Sequence, residues 1–174
     1  YGIYNVQIES VSGTLSDHYD PTKNVIRLSD GVYNSSSVAA IGVACHEAGH
    51  AAQHAQGYAP IKIRNLVLPV CNIGSTLSMP LILAGLLFFF EPLIWIGIGF
   101  FSFVAVFQLV TLPVEFNASR RALDSIRQVN ILTGNEIDGA RKTLTAAALT
   151  YVAATAVALM QLLRLILIFA RKDD

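Results

Sequence analysis

The sequence predicts a mainly α-helical integral membrane protein, a helical bundle with a small α+β portion that carries one H-E-x-x-H helix. Three observations predict it. The chain is 53% hydrophobic and 14% charged, where ordinary soluble domains have about 25% charged residues. The charges are segregated: Glu91 is the only one between Asn65 and Val114, and Arg164 the only one between Thr143 and Ala170. Finally, Cys45 to His50 reads C-H-E-A-G-H within a proline-free run from Val38 to Gln56.

A length of 174 residues suits a single domain over 1–174. The net charge of zero gives no case for nucleic acid or another polyanionic partner. Cys45 and Cys71 lack metal-binding spacing and read as buried free thiols. The first residue is Tyr1, as in a processed chain or a piece of a longer one.

Residues 1–64 read as a soluble β-hairpin followed by the H-E-x-x-H helix. Asn5–Val11 alternates weakly, and Val25–Leu28 supplies a second strand beyond the turn formers of Asp17–Pro21. Asn34 to Ser37 offer N-caps for a helix that Gly57 terminates.

The apolar runs hold transmembrane helices at 66–90, 92–112 and 144–169, since a span needs about 20 apolar residues. Phe90-Glu91-Pro92 makes the tip of the first hairpin, because neither the carboxylate nor the proline suits a lipid-embedded helix interior. The competing reading, buried helices of a large soluble core, needs shorter apolar runs. Asn72, Ser75, Ser78, Gly97 and Gly99 are expected to face neighbouring helices. Residues 113–142 form a helical segment beginning at Pro113. Lys62, Arg64, Arg120, Arg121, Arg127, Arg141 and Lys142 all fall on one side of the two-span hairpin, which the positive-inside rule places in the cytoplasm. Arg171 and Lys172, partly offset by Asp173 and Asp174, would lie outside. The expected setting is a multi-pass protein in the cell membrane, surrounded by the lipid bilayer, with its site on the cytoplasmic side.

One helical turn separates His46 from His50, so both imidazoles point the same way and can share one Zn2+ ion. Glu47 is rotated by about 100° from His46, which lets it act as a general base beside the metal without ligating it. The competing reading is a helix with two chance histidines. A catalytic zinc site needs a third protein ligand and an open position. His18, His54, Glu91 and Glu115 are the candidates. Glu91 falls at the opposite membrane face, and His54 has drifted around the helix from His46. Two crossings return Glu115 to the side of the histidine helix, with Ser119 one turn further on; a carboxylate near a helix start also simply favours the macrodipole.

Five stretches carry a family resemblance: S-D-H-Y-D-P (Ser16–Pro21), V-Y-N-S-S-S (Val32–Ser37), A-C-H-E-A-G-H-A (Ala44–Ala51), L-P-V-E-F-N-A-S-R-R-A-L (Leu112–Leu123) and L-T-A-A-A-L-T-Y-V-A-A (Leu144–Ala154). In these the chain resembles the YugP-like neutral zinc metallopeptidases, bacterial integral membrane proteins. The resemblance implies a zincin-like cytoplasmic portion with a gluzincin-type site: His46, His50 and Glu115 as metal ligands and Glu47 as base. It also implies a distant likeness to membrane proteases with an E-x-x-A-D helix, whose aspartate supports a zinc-bound histidine; here that position is Ser119. The expected function is a zinc-dependent membrane endopeptidase that hydrolyses peptide bonds through a zinc-activated water, acting on a peptide or membrane-protein substrate. His18, within the first matching stretch, is the expected second donor to the developing oxyanion, with Tyr19, Asn117, Arg120 and Arg121 as other candidates. The rival from another class is a non-catalytic membrane assembly protein with a structural zinc site, which would close with four protein ligands. A zinc hydrolase acting on a non-peptide amide would use the same machinery.

Overall fold

The computed structural model describes residues 1–170, so Arg171, Lys172, Asp173 and Asp174 lie outside the described residues. The elements run β1 (Gln7–Val11), β2 (His18–Asp20), β3 (Val25–Ser29), α1 (Asp30–Tyr33), α2 (Val38–Ala55), α3 (Ala59–Leu87), α4 (Glu91–Gln128) and α5 (Asn135–Ala170). They form two compact units. One combines Tyr1–Ile61 with Val114–Leu149; the other combines Lys62–Pro113 with the chain from Thr150 onward.

In the first unit a three-stranded sheet has the order β1-β3-β2. A hairpin is present, but between different strands from those expected. β2 pairs antiparallel with β3, whereas β1 pairs with β3 in parallel, Gln7 opposite Val25 and Val11 opposite Ser29. The reason lies in the turn. Asp20 Oδ1 accepts bonds from the Thr22 and Lys23 amides, and Asn24 adopts φ +53°. The reversal therefore falls after Asp20, and His18–Asp20 is free to pair as a strand. The long connection from Ser12 to Asn24 then suffices for a parallel return of β3 beside β1. As the central strand, β3 buries Val25, Ile26 and Leu28.

The sheet packs on α2. Ile26, Leu28 and Ala51 form a buried cluster with Val6, Tyr19, Val32, Ala44 and Ala48 around it. A second cluster lies against another side of α2: Ile126, Leu132 and Ala140, flanked by Val38, Ile41, Cys45, Leu123 and Ile137. Covered on several sides, α2 has room mainly for alanine and glycine, which accounts for its composition.

In the second unit the helices bury Ile82, Ile94, Ile98 and Leu165 among Trp95, Phe101, Leu162 and Phe169. Their outward surfaces remain apolar: Leu66, Leu83, Met160 and Leu163 are each more than half exposed. Exposed leucines along helices this long and apolar suit lipid, not water. The three long helices are candidate membrane spans, and the alternative of a soluble core does not explain their outward faces.

Three expectations for these helices need correction. Pro113 does not start a helix: α4 continues through it, and Pro69 and Pro80 likewise lie inside α3. Packed or lipid-embedded helices tolerate proline because neighbouring groups and local adjustments compensate for its missing N–H. Asn72 and Ser75 are exposed, and only Ser78 of that trio is buried. Gly97 does pack, since a Cβ there would come 2.8 Å from the Ser78 carbonyl oxygen, but Gly99 faces open space.

Candidate metal centre

The site begins with the ends of α2. Ser37 caps its start, its hydroxyl accepting the Ala40 amide at 3.2 Å. At the other end the Tyr58 amide donates to the Gln53 carbonyl and the Gly57 amide to the His54 carbonyl, with Gly57 at φ +64°. This is a Schellman termination, which needs a left-handed residue at the glycine position. The helix between them carries His46, Glu47 and His50.

α2 meets the Val114–Gln128 part of α4 at very close range. A Cβ on Gly49 would lie 2.7 Å from the Ala118 carbonyl oxygen and 3.2 Å from Ala118 Cα. Only glycine permits this approach. It brings the histidines onto Glu115, one turn before Ser119. His46 Nε2 lies 3.2 Å and His50 Nε2 3.6 Å from Glu115 Oε2. The two imidazoles meet edge to face, their centroids 4.7 Å apart. One ligand atom from each of His46, His50 and Glu115 falls within 4.8 Å of the others.

The outer nitrogens are held as well. Ser119 Oγ sits 3.2 Å from His46 Nδ1, so the serine takes up contact with the histidine at the position where the E-x-x-A-D pattern has aspartate. His50 Nδ1 meets Gln53 Oε1 at 3.0 Å. With both outer nitrogens engaged, each Nε2 is turned toward the carboxylate. Two imidazole nitrogens and one carboxylate oxygen, converging and anchored from behind, suit a zinc ion.

Glu47 is 7% exposed and lies next to this group in the chain. Burial raises its carboxyl above the ordinary glutamate range; nearby His50 and His46 pull the other way, and Glu115 and Asp17 add to the rise. For His50 burial lowers the imidazole's proton affinity, but the adjacent Glu115 carboxylate outweighs it, and the net direction is upward.

The other sequence candidates stand elsewhere. His18 is exposed on the edge strand β2. Its Nδ1 is 2.7 Å from the Ser16 carbonyl, which can only accept, and its Nε2 is 3.4 Å from an Arg27 nitrogen, which can only donate. The neutral ring so arranged has its N–H on Nδ1 already committed. Tyr19 donates its hydroxyl to Asn24 Oδ1 at 2.7 Å. His54 stacks obliquely against Tyr19, with centroids 5.4 Å apart. Glu91 accepts from the Trp95 indole at the start of α4. Among the described residues the metal-ligating group contains His46, His50 and Glu115, and neither His18 nor His54.

Sequence reasoning missed Gln53. It is fully buried and joins His50 to α4 through the Val114 carbonyl and Asn117. Its position three residues after His50, on the same helical face, was the available signal.

Comparison with known proteins fits this geometry. The chain matches the family described as "Putative neutral zinc metallopeptidase" over residues 1–170. It is 49% identical over 173 residues to a Bacillus subtilis (strain 168) protein named "Putative membrane protease YugP", a match covering 99% of this chain and 77% of the relative. No solved structure matches. The chain is thus a membrane protein in which two histidines and one glutamate converge in a group that could hold a metal ion, and it belongs to the neutral zinc metallopeptidase family.

Proposed function

We propose that this protein is a zinc-dependent membrane endopeptidase with a gluzincin-type site in a zincin-like unit. The observation that carries the reading is the convergence of His46, His50 and Glu115 with Glu47 buried alongside. When bound there, zinc supplies Lewis-acid polarisation of a peptide carbonyl and makes a water molecule acidic enough to be deprotonated near neutral pH. The remaining work falls to the chain. His46 and His50 present Nε2, and Glu115 presents Oε2. Ser119 and Gln53 hold the imidazoles from behind. Glu47 takes the proton of the attacking water and passes it to the leaving amine, a task helped by a carboxyl whose proton affinity is raised by burial.

Three donors leave a position for water and substrate, which favours catalysis over a closed structural site. A structural site would need a fourth donor, and His18, the candidate from sequence, has both ring nitrogens engaged by Ser16 and Arg27. His18 therefore keeps its place as a proposed donor to the reacting carbonyl only if its ring turns when substrate binds.

The proposed setting is a multi-pass protein of the cell membrane with the site on the cytoplasmic side. It rests on the basic residues Lys62, Arg64, Arg120, Arg121, Arg127, Arg141 and Lys142. The proposed substrates are peptides or membrane proteins. The test is cleavage of an unfolded or membrane-protein substrate by detergent-purified, zinc-loaded protein, with Glu47→Gln as the control. Zinc-loaded protein that cleaves neither would overturn the peptidase reading.

A further inference from the structure

We propose that Gln53 is a positioning residue that selects which nitrogen His50 offers to the metal. The proposal rests on the reading of His46, His50 and Glu115 as a metal site.

Around Gln53 some groups can only donate hydrogen bonds and others can only accept them. Arg121 Nε lies 2.7 Å from the Asn117 side chain, and a guanidinium nitrogen can only donate. Asn117 therefore presents Oδ1 to it. That same Oδ1 is 3.0 Å from the Gln53 amide, so Gln53 must turn its NH2 group toward Asn117. A second contact requires the same orientation independently. The Val114 carbonyl, which can only accept, lies 2.7 Å from the same Gln53 nitrogen. With its nitrogen committed twice to α4, Gln53 has only Oε1 left to face His50, at 3.0 Å from Nδ1. An oxygen there requires the proton on Nδ1. The lone pair of the neutral ring is then on Nε2, on the side of Glu115. In this way an arginine and a peptide carbonyl of α4 dictate the tautomer of a histidine on α2.

The lock is rigid because it is buried. Gln53 has no exposure, and no buried side-chain nitrogen or oxygen among the described residues lacks a partner. Arg121 is itself braced: its NH1 donates to Gln56 Oε1 at 2.6 Å, and its guanidinium lies 5.9 Å from the rings of both Tyr1 and Tyr58. His46 has a less selective partner, because the Ser119 hydroxyl can donate or accept. The tautomer of His46 is thus left open, and that of His50 is set.

The test is zinc affinity of the full chain in detergent, measured by competition with a chelator, beside thermal unfolding of the zinc-free protein. Gln53→Met keeps the length and removes the acceptor. It should weaken zinc binding by about 10–100-fold, the range for residues that orient a ligand, in a zinc-free protein that still folds but melts at lower temperature, since the bonds to α4 are lost as well. Gln53→Glu restores an oxygen facing Nδ1 but gives up both donated bonds and sets its second oxygen against the Val114 carbonyl; it should lose much less zinc affinity than Gln53→Met. Unchanged affinity in a folded Gln53→Met overturns the lock and leaves the metal site standing. If Gln53→Met does not fold, Gln53→Glu decides, since loss of zinc there overturns the proposal and retention supports it. A parent protein that takes up no zinc brings down the metal reading itself, and the lock with it.

Discussion

Gly49 and Ala118 set the distance between the histidine helix and the ligand helix: a Cβ at residue 49 would stand 2.7 Å from the Ala118 carbonyl oxygen. The obstructing atom is backbone, so the helices themselves would have to separate. Gly49→Ala should destabilise the protein by about 1–3 kcal/mol through overpacking and weaken zinc binding, because the histidines are drawn away from Glu115. Gly99→Ala is the control, since nothing lies within 4 Å of a Cβ there. Thermal unfolding and zinc affinity of the two variants check this; equal behaviour would mean that the close approach does not hold the site together.

Glu115 is 2% exposed and is the sole carboxylate within the three-donor group. Glu115→Ala should leave a protein that loses its zinc on desalting, where the parent retains a stoichiometric amount. Metal analysis of the two proteins after gel filtration reads this directly. Full zinc retention by the variant would remove Glu115 from the ligand set.

Glu47 should behave differently. Glu47→Gln is expected to keep zinc and to lose peptidase activity by about 10²–10⁴-fold, the contribution of a general base. The base works ionised, so activity is present above its pKa and lost as pH falls through it. Burial raises that pKa above the ordinary 4.5. In the zinc-free protein the Glu47 carboxyl should accordingly titrate above the ordinary glutamate range, and titration at or below it would contradict the burial; bound zinc works against the rise.

His18 separates an open site from a closed one. With its nitrogens at Ser16 and Arg27, His18→Ala should leave zinc content unchanged. Loss of zinc in this variant would point to a fourth ligand and to a structural role for the metal.

The sequence by itself determined the apolar helices and the chemistry at the start of the site. Long uncharged runs have one economical use, and the spacing of His46 and His50 places them on one helical face wherever that helix goes. Helix ends were also legible locally, at Ser37 and Gly57, because capping involves only neighbouring residues. The tertiary structure decided the rest. Whether Val25–Ser29 pairs with Gln7–Val11 in parallel or antiparallel depends on where the chain reverses, and three or four residues shift that point. Whether Pro113 starts a helix or lies within one depends on what surrounds it. Glu115 was singled out as third ligand only by the family resemblance; the packing of the helices is what brings its carboxylate within 3.2 Å of His46 across 69 positions of sequence. Gln53 went unread, because its role depends on two partners on another helix, Val114 and Asn117, the latter held in turn by Arg121. Ligand spacing within a helix is a local property of the backbone, whereas a third ligand and the hydrogen bonds behind the first two exist only once separate helices have packed.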